Sequence, residues 1–502
     1  MSHRDLPSRR DVLRLGAAAG LLWGMGMQPA RADHLRIASS TVSTQLDPHA
    51  LVFYQLRQLY DKLVTLDADS LTVVPELATI WTRLNPLTLE LRLRENVVFS
   101  NGEPLSAETV AANIARVKTS LNPLLVRLQR LFAPIERGEV VDDLTVRVTT
   151  SAPDPLLLRR LATLYILPDA LLPDDAAPAM MTAAGTGYFR LDDFAPGQRI
   201  RLSRSESGWR MRTAIESAEY TSYMSTVELQ TALTRGDADI GQGLPPQTAR
   251  SLEGQFRLAS APTFGCAICS LLADVEPKLA DRRVREALNL AVNKEAINVA
   301  LGGGFGTVAT GQLLQPGISG YNPALEPFPY DPDRARALLA EAGASDLTLT
   351  IGATPPFRLH AQTVALYLQS VGVRASVELV EFSAFVPTLL VRSPYPVLYW
   401  DLYYSFLLDW EEASSRFAPP SAGIQPHYMN ENFFALYREA SVQTDPSARA
   451  EMIRELAAMM REDAAVLFLT WSALVYTHTP AIRWLPVNYD GSLRLWEVEK
   501  LG

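Results

Sequence analysis

Apolar residues along the chain switch between two spacings. Leu87, Leu89, Leu91 and Leu93 alternate with their neighbours, the period of a strand with one buried face. Leu144 to Val148 repeats that pattern, and Leu35 to Ala38 reads as a further short strand. Elsewhere the spacing is helical. Leu56, Leu59 and Leu63 share one face and predict a helix over 51–63. Ser106 offers an N-cap, Glu108 favours the dipole of the first turn, and Val110, Ile114 and Val117 supply the apolar face. Asp281 caps a helix expected to run to about Leu301, with Val284, Leu288, Ala291 and Val292 on one side and Gly302 to Gly304 as its stop. Asp331-Pro332 opens another helix that closes at Gly343. A long one follows Asp445-Pro446 and carries Ile453, Leu456 and Met460. Strands and helices alternate with no strict βαβ repeat, so the class is mixed α/β.

Length changes the picture from one core to several. The 502 residues exceed what a single core usually supports, so more than one lobe is expected. Formal net charge is −9. The first 32 residues carry five Arg and two Asp, which leaves about −12 on the remainder. An acidic body argues against a nucleic-acid partner and against a basic membrane-surface patch.

The N-terminal segment has its own logic. Arg9-Arg10 precede an apolar stretch from Leu15 to Met27, and Ala30-Arg31-Ala32 is a small-x-small cleavage pattern. Residues 1–32 therefore read as a signal peptide, and the arginine pair resembles a twin-arginine signal, with Val12 where Phe is usual. The stretch is short and rich in Gly and Ala for a membrane span, and no Cys follows it to carry a lipid. A mature chain beginning near Asp33, free in the periplasm, is the expectation.

Six segments of the mature chain, in order, resemble the family 5 extracellular solute-binding proteins that serve peptide, nickel and related importers. They are Pro75-Glu76-Leu77-Ala78 with Trp81; Leu91 to Phe99 followed by Asn101-Gly102-Glu103-Pro104; Gly185-Thr186-Gly187-Tyr188-Phe189-Arg190; Gly236-Asp237-Ala238-Asp239-Ile240; Asp281 to Ala287; and Tyr330-Asp331-Pro332 through Gly343. Two departures stand out. The family's N-P-x-Y-W segment keeps only Trp209, and the Pro of its GTGPYR segment is missing.

The resemblance implies an α/β, two-lobed periplasmic-binding-protein fold of the type II, peptide-binding-like kind, with an extra subdomain in the first lobe. The expected boundaries are a first lobe of 33–70, 185–262 and 475–502, an extra subdomain of 71–184 and a second lobe of 263–474. It implies a binding component, not an enzyme, of an ABC importer. A short peptide or other amine-bearing solute would be held between lobes that close on it and would then pass to the permease. The alternative is a metal complex of the nickel type, or an opine, sugar or tetrapyrrole. A monomer without cofactor is the expectation.

Candidate ligand contacts follow from the same resemblance. Asp409, in Asp409-Trp410-Glu411-Glu412-Ala413, falls where an Asp of peptide-binding members meets the peptide α-amine, and such a charge-assisted bond is strong in a closed cleft. The competing reading makes Asp409 the N-cap of a short helix. The stretch Pro394 to Trp410 is dense in aromatics, from which Trp400, Tyr403 and Trp410 are chosen as cleft walls, with core packing as the alternative. Trp209 and Phe53 are weaker candidates. His427 lies in the region from which nickel-binding relatives can present a histidine, and an ordinary loop histidine is the competing reading.

Other motifs carry no chemistry. His34, His49, His360 and His478 show no metal-ligand spacing, so no metal is assigned. Cys266-x-x-Cys269 falls in an apolar, strand-like stretch where residues three apart face opposite sides, so two buried thiols are expected. Gly302 to Gly306 ends a helix and does not join strand to helix, which disqualifies it as a phosphate loop. No G-x-S-x-G or H-E-x-x-H occurs.

Overall fold

The computed structural model describes residues 34–50, 54–173, 181–206, 209–210, 213–390, 392–403, 406–420, 427–486 and 492–501. The signal-like segment 1–32 and Phe53 lie outside the described residues.

The described residues open on β1 (His34–Ser39). A short hairpin of β2 (Val64–Leu66) and β3 (Val73–Pro75) leads into β4 (Ala78–Asn85), β5 (Thr88–Leu93), β6 (Ile135–Asp142) and β7 (Thr145–Thr150). These last four make an antiparallel sheet of order β4-β5-β7-β6. Leu89, Leu91 and Leu93 are buried on its inner face, as the alternation requires, and the helix Ala107–Thr119 covers them with Val110, Ile114 and Val117. Ser106 caps that helix by accepting from the Thr109 N–H.

Strands β8 (Phe189–Ala195), β9 (Arg199–Arg204), β10 (Ser217–Ser222) and β11 (Ile240–Gln242) complete the sheet begun by β1. Two long strands then matter most, β12 (Arg257–Leu271) and, near the end of the chain, β17 (Val466–His478). Between them come β13 (Thr307–Val308), β14 (Thr348–Ala353), β15 (Arg374–Leu379) and β16 (Val397–Tyr403). The resulting order is β15-β14-β16-β12-β17-β11-β1-β10-β9-β8, with β13 beside β17. One half of the fold is thus built on β14 to β16, the other on β1 and β8 to β11, and β12 with β17 joins them.

The joint has a visible irregularity. The β12–β17 register shifts between Pro262 and Cys266, and Phe264 sits there with φ +47°, a left-handed conformation rare for a bulky residue. Apolar burial divides in the same sense. One contiguous core unites the four-stranded sheet with residues of the β14–β16 half, while separate cores lie under β1 and β8 to β10 and around the helix Thr226–Thr234.

Caps fall where the sequence places them at Asp281, Asp331 and Asp445. Two expected helices differ. The span from Asp281 to Leu301 is two helices, Arg282–Ala291 and Lys294–Gly302. Val292 is extended at the break, and Asn293 caps the second helix by accepting from the Ala296 N–H. Within 51–63 the described helical residues are only a 3-10 turn, Tyr54–Gln58. The carbonyls of Leu59 and Asp61 accept instead from the distant Gly187 and Ile166 N–H groups, so the helix cannot continue. Gly185 and Gly187 press so closely on the Gln58 and Leu59 carbonyls that a Cβ at either would collide with them.

Cys266 and Cys269 are free and buried in β12. No helix among the described residues is long and apolar enough to cross a membrane.

Candidate functional site

Register across the three central strands builds the floor of a cavity. Thr470 on β17 pairs with Ala267 on β12, which pairs with Asp401 on β16. Side chains on directly paired residues share a face, so these three lie in one row. All three line a cavity of about 230 Å³. Its walls come from the helix Lys294–Gly302, from Phe357, His360 and Tyr399, and from Pro246 on the β1–β11 side. The cavity therefore sits where the two halves meet.

Polar chemistry in the cavity is sparse. Asp401 Oδ2 accepts from the Ser472 hydroxyl at 2.9 Å. His360 packs its ring against Phe357 and Tyr399, and its buried Nδ1 has no hydrogen-bond partner. Burial lowers the His360 pKa, so its neutral form is favoured. Among the described lining residues Asp401 is the one that carries a formal charge. A larger cavity, about 680 Å³, is lined by Arg257, His478, Trp484 and Trp496 at the far ends of β12 and β17. Its described lining residues include none from β14 to β16.

None of the candidates whose side chains are described lines the 230 Å³ cavity. Asp409 is 2 % exposed and receives both terminal nitrogens of Arg449, each at 2.7 Å. It also accepts from the Glu411 N–H and so caps the helix Trp410–Ala413. Trp400 faces the opposite side of β16 from Asp401, where it is buried and donates to Ser270 Oγ at 2.9 Å. Trp410 is buried against Phe433. Tyr403 belongs to β16, paired with Gly265. His427 is buried, with Nδ1 on Ser270 Oγ at 2.9 Å and Nε2 on the Leu389 carbonyl at 3.1 Å. Burial holds its pKa at about 4. Trp209 lies in the other half, donating to Asp61 and packed between Arg94 and Arg210. Among the described residues no cluster of His, Cys, Asp and Glu could hold a metal.

The cavity is lined instead by residues not singled out from the sequence: Tyr399 and Asp401, one position either side of Trp400, together with His360, Thr470 and Ser472. A period-two reading of Val397–Tyr403 separates the two faces. Which face meets the cavity depends on pairing with β12 and was not visible locally.

Arginines from 127–160 reach across to the segment 407–412. Arg160 donates to Glu411 at 2.7 and 2.8 Å while also holding Asp154. Arg127 approaches Glu412 at 3.4 Å and lies over the Phe406 ring, and Arg159 donates to the Leu407 carbonyl.

Two α/β halves joined by crossing strands, with a cavity at the crossing, define the class of two-lobed binding proteins. The chain belongs to the bacterial extracellular solute-binding proteins of family 5, whose middle-region model matches residues 72–414. Among curated relatives, the glutathione-binding protein GsiB of Pectobacterium atrosepticum is 28% identical over 346 residues, 65% of this chain and 64% of that protein. GsiB of Escherichia coli K12 is 27% identical over 346 residues, 67% and 66% of the two chains. The match to the first of these thus spans less than two thirds of the relative. Among solved structures, NikA from Brucella suis in complex with Fe(III)-EDTA has a TM-score of 0.83 at 21% identity, covering 93% of this chain and 99% of that one. The periplasmic binding protein DppA from Helicobacter pylori, in complex with peptide STSA, has a TM-score of 0.77 at 19% identity and covers 93% and 98%. These two likenesses establish the fold.

Proposed function

We propose that the protein captures a short peptide or other amine-bearing small solute between its lobes and delivers it to the permease of an ABC importer. The observation that carries this reading is the cavity at the crossing of β12 and β17, floored by Thr470, Ala267 and Asp401. Family membership supports it, as do curated relatives that bind glutathione. Closure would pivot near Phe264, with a first lobe of 33–70, 185–262 and 475–502, its extra subdomain 71–184 and a second lobe of 263–474. A ligand that touches both lobes binds the closed state better and shifts the population toward it. The chain acts as a monomeric binding protein rather than an enzyme, and the arginine pair at its N-terminus exports it to the periplasm. His427 gives the metal-complex alternative no support, because both of its ring nitrogens are engaged within the protein.

Native mass spectrometry of the exported protein, followed by denaturing release, tests the reading. One solute or a ladder of small peptides per chain is expected. A protein that emerges empty, and that no peptide, amine or metal chelate stabilises against heat, would contradict it.

A further inference from the structure

The cavity of about 680 Å³ at the far ends of β12 and β17 has the size of a small-molecule site, roughly 300–1,000 Å³, and Trp484 and Trp496 give it aromatic walls. Those walls are held firmly. Trp484 packs edge-on against Tyr476 with ring centroids 5.0 Å apart, and Trp496 stacks on Tyr188 at 4.6 Å. Ile482–Arg483 pairs with Glu499–Lys500 beside them. The indole N–H of Trp484 is nevertheless buried with no acceptor, whereas buried donors in native proteins are as a rule paired.

The charged groups of the wall divide into two sets. Arg483 is paired with Glu499, and Arg494 with Glu497. Arg257, Asp67 and Asp69 also line the cavity and belong to no ion pair among the described residues. Arg257 and His478 are directly paired across β12 and β17, so their side chains leave the sheet on one face. His478 Nδ1 lies 2.9 Å from the Thr479 carbonyl, which can only accept, so Nδ1 carries the proton. Burial lowers the His478 pKa and Arg257 adds to the shift, so the ring is neutral and Nε2 keeps its lone pair. A guanidinium able to receive a carboxylate thus stands beside an imidazole nitrogen able to accept from an ammonium. Asp67 and Asp69, at the turn between β2 and β3, add negative charge that favours the ammonium.

We propose that this cavity is a second ligand site and takes a free aromatic amino acid, with its carboxylate on Arg257, its ammonium on His478 and its ring against Trp484 and Trp496. A lone cation would meet the unpaired Arg257, and a lone anion the unpaired Asp67 and Asp69. Both ends of a zwitterion therefore contribute to recognition. The site is independent of solute capture between the lobes.

Calorimetry on the purified exported protein tests this with tryptophan and three analogues: tryptamine lacks the carboxylate, indole-3-propionate lacks the amine and alanine lacks the ring. One tryptophan per chain should bind, and each analogue at least about tenfold more weakly. Arg257→Gln, at an exposed position, should weaken tryptophan about 10-fold and leave tryptamine unchanged. Comparison of the four compounds on the unaltered protein needs no variant to fold. Thr470→Trp, which fills the central cavity, should leave tryptophan binding in place. Loss of binding in that variant would put tryptophan in the central cavity, overturning this inference and leaving solute capture standing. Absence of tryptophan binding, an analogue that binds equally well, or binding indifferent to Arg257→Gln would each overturn it as well.

Discussion

Arg449 hands both terminal nitrogens to Asp409, at 2.7 Å each, and its Nε to the Ala440 carbonyl. Both side chains are buried, so the pair ties the helix Pro446–Glu462 to the helix Trp410–Ala413 across 40 residues of sequence. Removing one member leaves a buried charge uncompensated, which costs about 3–5 kcal/mol. Asp409→Asn and Arg449→Met should each lower stability by that order, and the double variant should recover a large part of the loss. Chemical denaturation of the four proteins measures this. A normal midpoint for Asp409→Asn combined with lost ligand binding would return Asp409 to the ligand site.

The contact between Arg160 and Glu411 ties the segment 127–160 to the segment 407–412. Glu411 is one-third exposed, so the pair is partly screened. Glu411→Gln should accelerate ligand release roughly 3- to 10-fold, with little change in melting temperature. Stopped-flow dissociation measures the rate. An unchanged rate would mean that this contact does not guard the closed state.

Two buried histidines set a pH window. Burial lowers the pKa of His427 to about 4, with Arg416 adding to the shift and the Leu389 carbonyl and Asp274 opposing it. Burial likewise lowers His49 to about 4, between Asp47, Arg116 and the Tyr165 carbonyl. An unfolded histidine titrates near about 6.5. Between these values the unfolded chain binds more protons, so their stabilising share is complete above about pH 6.5 and is lost as pH falls toward about 4. Melting temperature should therefore drop between pH 7.5 and 5, and the drop should be smaller in His427→Gln. An equal drop in that variant would remove His427 from the explanation.

Both thiols should be inert in the folded protein. Burial raises the pKa of Cys266 and of Cys269, which leaves little thiolate to react. A thiol reagent should label neither in native buffer and both in denaturant. Labelling before unfolding would show that β12 opens.

Much of the scaffold was legible in the sequence because its signals are local. Ser106, Asp281, Asp331 and Asp445 each cap the helix they precede, and Leu89, Leu91 and Leu93 share one buried face. The cap at Asp409 was legible for the same reason, whereas its partner Arg449 was not. The site was harder to read because it depends on pairing at long range. Asp401 and Trp400 are neighbours in β16, and only alignment with Ala267 and Thr470 decides which of them faces the cavity. The break at Val292–Asn293 was missed because apolar spacing continues through it while the backbone does not.

On the proposed function, ligand occupies the cavity floored by Thr470, Ala267 and Asp401. Thr470→Trp would fill that cavity from its edge. The measurement is the affinity of this variant for the solute released from the exported protein, with its melting curve as the check on folding. A folded variant should lose affinity by about 100-fold, the order expected when a bulky side chain must be displaced. Undiminished affinity in a folded Thr470→Trp protein would place the ligand elsewhere.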